Sequence, residues 1–310
     1  MKIFAFSPKE NWILDRIVGE WNLNNEDICS SIPEKANILW FLDSSSWSRL
    51  PPSFLKDKIV VQSTHHIVPD KFNKSDFANR DEIVDHYLCP NKFTKEFIEK
   101  YTKKPISMIG YWYNSDLWNP ATRDVSRGIL GIPETDFVIG TFQRDTEGHD
   151  LISPKLEKGP DLFLQYIKRL DKRVHVLLAG WRRQYLIREL EQAGIKYSYK
   201  QMVDLGLLRK MYSACDLYIV SSRYEGGPQA LLEASSMKIP IISSDVGMAS
   251  EVLSEKCIVD IKKDIYYPTE EDIKYNYKNV QKYELKEHMK KYREFFTRIY
   301  SEKKSANNRD

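Results

Sequence analysis

Residues 217–234, Leu217-Tyr218-Ile219-Val220-Ser221-Ser222-Arg223-Tyr224-Glu225-Gly226-Gly227-Pro228-Gln229-Ala230-Leu231-Leu232-Glu233-Ala234, decide how the chain is read. The apolar run Leu217–Val220 has the length and branching of a buried strand, and small polar residues end it. Gly226-Gly227 permits a tight turn. Pro228 stands where the first residue of a helix is expected, because its missing N–H costs nothing there. The first N–H groups of such a helix have no partner within it, and they point beyond the end of the strand. Together with the helix dipole they favour an anion, so the rim from Gly226 through Gly227, Pro228, Gln229 and Ala230 to Leu231 reads as an anion site.

Two carboxylates flank that rim. Glu225 precedes the helix, and Glu233 lies one to two turns inside it. A carboxylate is a poor neighbour for a phosphate and a good acceptor for sugar hydroxyls. The pair therefore suits a ligand with hydroxyls at both ends and phosphate in the middle, as in a sugar nucleotide. On these residues alone the plainer alternative stays open: an ordinary solvated helix residue at Glu233 and an ordinary loop charge at Glu225.

The totals agree with a protein of that kind. A length of 310 residues accommodates two domains, and 42% hydrophobic with 29% charged residues describes a soluble globular chain. A net charge of +3 is too small to argue for nucleic acid, and it suits anionic ligands or peripheral contact with an anionic membrane. No apolar run is long enough to span a bilayer. Met1 to Ser7 is too short for a signal-peptide core and ends at Pro8, so it reads as a first strand. Cys29, Cys89, Cys215 and Cys257 lack ligand-like spacing and read as reduced thiols of a cytoplasmic protein, with no metal site.

Short apolar runs alternate with helical stretches along the first half. Strands are expected at Lys2–Ser7, Ile38–Leu42, Lys58–Ser63, His86–Cys89 and Pro105–Ile109, with helical spacing at Trp12–Val18 and Thr94–Lys100. This alternation predicts a parallel sheet covered on both faces, with ligands at the carboxyl ends of the strands. In the second half, strands are expected at Phe137–Phe142, Val174–Gly180, Ile195–Tyr199 and Leu217–Val220, and a helix over Asp161–Ile167. Trp181-Arg182-Arg183 reads as a solvated helix face, with a membrane-facing patch as the alternative. Glu251 reads as a capping or structural carboxylate, and Gly247, Met248 and Ala249 could add backbone N–H groups to the anion site. After Val259 the pattern thins, until Tyr283–Tyr300 presents a charged helix with Tyr292, Phe295 and Phe296 free to pack elsewhere; Ser301–Asp310 reads as a disordered tail.

The stretch Glu225 to Glu233, with Ile239–Glu251 after it, resembles the Glu-x7-Glu signature of retaining glycosyltransferases, family 4 above all, which have the GT-B fold. The resemblance implies an α/β chain of two Rossmann-like domains facing a cleft, with a C-terminal helix returning to the first domain. Here that gives a short acceptor-side domain at 1–115, a sugar-nucleotide domain at 116–282, and the returning helix and tail at 283–310. Phe137–Phe142, Arg144 and Lys158-Gly159 resemble the family's strand-Arg-loop-Lys-Gly-helix element, which implies that Arg144 and Lys158 hold the donor diphosphate. By residues alone Lys155 would serve as well as Lys158, and the Lys-Gly pairing favours the latter. Two fixed cations stabilise the charge that develops on a departing diphosphate without a metal. The resemblance further implies that Glu233 binds the ribose, Glu225 the sugar hydroxyls, and His65, which follows a strand of the first domain, the donor sugar.

Three departures mark this chain. The loop after the first strand, Ser7-Pro8-Lys9-Glu10-Asn11, carries no glycine, where many members have a glycine-rich loop. Gln143 stands where a glycine usually precedes the arginine. Asn114 and Asp116 in the linker Trp112–Pro120 are closer together than usual, and the linker's aromatic residues could equally pack the domain junction. The expected activity is transfer of a sugar from a nucleotide-diphosphate sugar, with retention and without cofactor or metal, to a glycan, lipid-linked or protein acceptor. It would take place in the cytoplasm or at the inner face of a membrane. The alternatives are a sugar-nucleotide-binding scaffold without activity and a GT-B epimerase or hydrolase.

Overall fold

Runs with apolar side chains on both sides of the strand can be buried only in a sheet covered on both faces. The computed structural model describes residues 1–10 and 13–307 and divides into two compact units, Met1–Tyr111 with Lys286–Asp310, and Trp112–Leu285. In the first unit β1 (Ile3–Phe6), β2 (Ile38–Phe41), β3 (Ile59–Ser63), β4 (His86–Cys89) and β5 (Ile106–Met108) lie side by side in that order, all parallel. Between them run α1 (Ile13–Asn24), α2 (Pro52–Leu55), α3 (Lys74–Asp81) and α4 (Lys92–Ile98).

One further bridge sets which faces are covered. Cys29 pairs in parallel with Ile3 on the free side of β1, through Ile3 N–H to Ile28 O and Ser30 N–H to Ile3 O, each 2.8 Å. The chain therefore leaves β1 to one side through α1 and comes back to the other side at β2. Right-handed crossovers that run in opposite directions put their helices on opposite faces. Trp21 of α1 meets Trp40 of β2 edge-on, with centroids 5.5 Å apart. Leu39 and Phe41, one position to either side, cluster instead with Leu55, Phe77 and Ile98 of the later helices.

The second unit orders its strands β10-β9-β6-β7-β8, all parallel: β6 (Phe137–Thr141), β7 (Val174–Ala179), β8 (Lys196–Lys200), β9 (Leu217–Val220) and β10 (Ile241–Ser243). Its helices are α5 (Arg123–Leu130), α6 (Pro160–Lys168), α7 (Gln184–Gln192), α8 (Leu205–Ser213), α9 (Gln229–Ser236), α10 (Ala249–Val252) and α11 (Glu270–Val280). The chain runs outward from β6 to β8, then crosses back to β9 on the opposite side of β6. Connections diverge at the carboxyl ends of β6 and β9, and open α/β sheets take their ligands at such a reversal. Gln143 and Arg144 leave β6 there, and Ser221 to Gly227 leave β9. Gly140 of β6 lets the sheet pack closely, since a Cβ would lie 2.6 Å from Cys215 Sγ.

Two helices bury mainly polar side chains. The buried residues of α5 are Ser126 and Arg127, and Arg127 pairs with Asp216 at 2.5 Å while donating to the carbonyls of Ala214, Glu134 and Asp136. The α11 helix begins with a capping box between Thr269 and Asp272 and buries Asp272, Asn276 and Val280. Hydrophobic period could not mark the buried face of either, and in α5 Val125 and Ile129 are exposed while Ser126 and Arg127 are buried.

The last helix, α12 (Leu285–Asn307), belongs to the first unit, as expected of a returning helix. Met289, Tyr292, Phe296 and Ile299 form its buried stripe, and Phe296 lies 5.3 Å from Trp40 and 5.4 Å from Trp21 between ring centroids. The expected disordered tail is corrected in part. Ser301 to Asn307 continue the helix, which Lys303 ties down by donating to Lys58 O at 2.8 Å, while residues 308–310 lie outside the described residues. Phe296→Ala is expected to destabilise the first unit by about 3–5 kcal/mol through the cavity left beside both tryptophans, read as an earlier urea transition in tryptophan fluorescence.

Candidate functional site

The site begins with a corner that only glycine can turn. Residues Leu156–Lys158 form a 3-10 turn, and Gly159, at φ 61, ends it and opens α6. A Cβ on Gly159 would lie 1.8 Å from Ser221 O, so the backbone after β9 runs directly against this corner. Ser221 Oγ donates to Gly159 O at 2.8 Å, and the N–H groups of Arg223 and Tyr224 donate to Glu157 O at 2.9 and 3.2 Å. The Arg223 guanidinium forks onto Asp161 at 2.8 and 2.6 Å and reaches Leu156 O at 2.7 Å. Burial pushes the Asp161 carboxyl up, but the Arg223 fork outweighs it and holds the group below the usual carboxylate range. The turn that carries Lys158 and the loop that carries Glu225 are thus tied together at several points.

These ties bring the two expected residues into contact. Lys158 Nζ lies 2.8 Å from Glu225 Oε1, with side chains 15% and 11% exposed. Ser222 Oγ reaches the same Oε1 at 2.9 Å and Gln143 Oε1 at 3.1 Å. Gln143 Nε2 donates to Lys158 O at 2.8 Å; a carbonyl can only accept, which assigns the amide's orientation. Arg144 follows Gln143 at the end of β6, its guanidinium 5.8 Å from the centre of the Trp181 ring. Lys155, the alternative cation, pairs instead with Glu157 at 2.9 Å, within its own turn.

Helix α9 starts at Gln229, and Pro228 is its N-cap, one residue earlier than the position expected for it. The difference follows from its ψ of 118°, which keeps Pro228 extended. Leu231 N–H is given to Pro228 O at 2.9 Å, which closes the first turn of the helix. Gly226 is buried and Gly227 half-buried. Gly247, at φ 57, packs so closely that a Cβ there would lie 2.8 Å from Gly226 O. The loop after β10 therefore backs the signature loop.

Glu233 is 4% exposed, and Tyr212 donates its hydroxyl to Oε2 at 2.8 Å. The rings of Trp118, Phe142 and Tyr218 surround Tyr212 at 5.7, 4.8 and 5.0 Å between centroids. Burial, then the charge of Glu233, push the Tyr212 hydroxyl well above its ordinary value, so it stays a donor. Trp118, an aromatic residue of the linker, thus packs within the second unit and steadies the carboxylate's partner.

His65 lies in the first unit, just beyond β3. Its Nε2 meets Leu42 O and its Nδ1 meets the Tyr111 hydroxyl. A backbone carbonyl can only accept, so Nε2 carries the proton and Nδ1 accepts from Tyr111. Burial pushes the imidazole down to about 4, and the ring is neutral at pH 7.

The reading of Trp181-Arg182-Arg183 as a solvated helix face is overturned. Helix α7 starts only at Gln184, and Arg183 is fully buried, with Nε 2.5 Å from Asp145 Oδ2 and Nη1 donating to Thr141 O at 2.8 Å and Ala179 O at 2.9 Å. Those carbonyls end β6 and β7, so Arg183 fastens the rim of the sheet between these two strands. Neither Arg183 nor the Arg223–Asp161 fork could be recognised from sequence, where 47 Lys and Arg residues offer no way to single them out. Among the described residues no group of three or more His, Cys, Asp or Glu is placed to hold a metal, and no helix is long and apolar enough to cross a membrane.

Solved structures share this arrangement of two parallel sheets. Anabaena HepE in complex with UDP and glucose is 13% identical, with a TM-score of 0.75 over 95% of this chain and 98% of that one. Sucrose-phosphate synthase from Thermosynechococcus elongatus is 14% identical, with a TM-score of 0.68 over 86% of this chain and 74% of that one. The fold is GT-B. The pneumococcal O-GlcNAc transferase GtfA in complex with UDP and GlcNAc is 17% identical, with a TM-score of 0.58 over 85% of this chain and 57% of that one. Residues 153–262, which hold the Lys158 corner and the whole Glu225–Glu233 stretch, match the family of glycosyl transferases group 1. A search of curated proteins returned no match.

Two outcomes test this geometry. Arg183→Met is expected to cost about 3–5 kcal/mol, because it leaves Asp145 buried without its cation; an unchanged urea midpoint would contradict that. His65, in an NMR pH titration, is expected to keep the Nε2–H tautomer and to titrate near 4, well below its ordinary 6.5. Because the folded value is depressed, the ring's contribution to stability is present above about 6.5 and is lost as the pH falls from there towards 4.

Proposed function

We propose that this chain is a retaining glycosyltransferase of the family 4 kind, moving a sugar from a nucleotide-diphosphate sugar to an acceptor hydroxyl. The observation that carries the reading is the contact of Lys158 with Glu225 at 2.8 Å, at the reversal point of the second unit's sheet. A cation suited to phosphate and a carboxylate suited to hydroxyls stand there as neighbours, as the phosphate and sugar of such a donor do. The match of residues 153–262 to glycosyl transferases group 1 supports the same conclusion.

In the proposed reaction the bond between the sugar's anomeric carbon and the diphosphate oxygen breaks, and the electron pair leaves with the diphosphate. Arg144, Lys158 and the opening turn of α9 stabilise the charge that gathers on it. The acceptor hydroxyl attacks from the face the diphosphate leaves, and its proton passes to the departing phosphate oxygen, so no protein base and no metal is called for. Glu225 holds the sugar hydroxyls, and Glu233, oriented by Tyr212, holds the ribose. His65 serves as a neutral imidazole that meets the donor sugar by exchanging its bond to Tyr111 or Leu42 for one to a hydroxyl. The acceptor is a glycan, a lipid-linked glycan or a protein, and the reaction belongs in the cytoplasm or at the inner face of a membrane.

UDP-sugars are the first donors to try, since UDP is the nucleotide in the HepE and GtfA complexes. The binding-only alternative draws on the glycine-free loop after β1, where Lys9 takes a φ of 61 that glycine would adopt without strain. Nucleotide release from a panel of nucleotide sugars, with and without acceptors, separates the readings. Release that needs an acceptor supports transfer, release without one supports an epimerase or hydrolase, and binding with no release supports a scaffold. In calorimetry, Lys158→Ala is expected to weaken nucleoside diphosphate binding by about 1.5–3 kcal/mol, the range for a hydrogen bond to a charged group. Glu225→Ala is expected to abolish transfer without weakening that binding; equal loss of both would contradict its assignment to the sugar.

A further inference from the structure

Glu225 and Lys158 compete with any phosphate for each other. The carboxylate oxygen that contacts Lys158 Nζ is the one Ser222 holds, and both charged side chains are largely shielded from water, so bulk solvent screens the pair less than a surface pair. A phosphate oxygen that approaches the ammonium meets this carboxylate at close range, and two like charges cannot share the one cation without strong repulsion. Resting on the reading of the site given above, we propose that the diphosphate and sugar subsites are coupled by exchange of this single ion pair. The arriving diphosphate takes Lys158, and the released Glu225 turns to the sugar hydroxyls. Once the sugar has gone to the acceptor, Glu225 loses those partners, reclaims Lys158 and drives the nucleoside diphosphate out.

Two neighbours make the exchange inexpensive. Ser222 has one hydroxyl proton and two acceptors within reach, Glu225 Oε1 at 2.9 Å and Gln143 Oε1 at 3.1 Å. When the carboxylate swings away, the hydroxyl turns to Gln143, and no buried donor is stranded. Gln143 stays in place throughout because its Nε2 is bound to Lys158 O, a backbone atom that does not move with the ammonium. This gives a role to the glutamine that stands where the resembling family has glycine.

The test is a double-mutant cycle on binding of UDP and of inorganic pyrophosphate by the full chain, using wild type, Glu225→Gln, Lys158→Ala and the double variant. Glu225→Gln keeps the shape and removes the competing charge. It is expected to tighten both ligands by about tenfold, the equivalent of 1.4 kcal/mol, and to slow UDP release in stopped flow. In the Lys158→Ala background the same substitution is expected to change affinity less than twofold. Binding that is unchanged or weakened in Glu225→Gln overturns the exchange while leaving the site's assignment standing. Equal tightening in both backgrounds also overturns it, since it would reflect only the loss of a negative charge nearby. Failure of wild type to bind UDP, GDP, ADP or pyrophosphate would sink the reading of the site, and this inference with it.

Discussion

Everything distinctive in the second unit depends on the close approach of two backbones, at Gly159 and Ser221. A side chain at residue 159 would occupy the space of the Ser221 carbonyl, 1.8 Å from its oxygen. With that approach in place, the cation of one segment and the carboxylate of another, 67 positions apart by number, become neighbours. The sheet topology makes the approach available. Only because β9 returns to the opposite side of β6 from β7 do the segments after β6 and β9 leave the sheet together.

Charge in this region is balanced locally. Lys158 is matched by Glu225, Arg223 by Asp161 and Arg183 by Asp145, and at the amino ends of β6 and β9 Arg127 is matched by Asp216. These pairs differ in what they can do. Arg183 is enclosed and also bound to two carbonyls, so it works as a fastening. Lys158 is a mobile ammonium with partial access to water, held by a partner that has other chemistry open to it.

The two units solve the edge of a parallel sheet in the same manner. In each, a histidine on the strand next to the edge meets a serine on the edge strand: His86 with Ser107 at 3.0 Å, and His175 with Ser198 at 2.9 Å. Burial lowers both imidazoles, to about 4 for His86, so each stays neutral and can share a single hydrogen bond with a hydroxyl. With Asp136 beside His175, the second of these looks like a catalytic set, but its counterpart in the first unit has a purely architectural form. Its Asp136 is also committed to Arg173 at 2.8 Å.

Resemblance to a known family was needed to choose Lys158 over Lys155, whereas the sequence by itself determined the strands, the alternation that implies a parallel sheet, the glycine turn before the helix at Gln229 and the carboxylate of Glu225 beside it. Those properties are local: apolar runs, glycines at turns and a proline at a helix start act on neighbours in the chain. Tertiary structure alone decided which polar residues would be buried. Helices α5 and α11 bury arginine, aspartate and asparagine, which no hydrophobic period can report. Arg183 became a buried fastening because the carbonyl ends of β6 and β7 converge on it, and Glu233 became a buried acceptor because Tyr212 arrives from α8. A polar side chain is buried only where partners from distant segments meet it, and their meeting is a property of the folded chain.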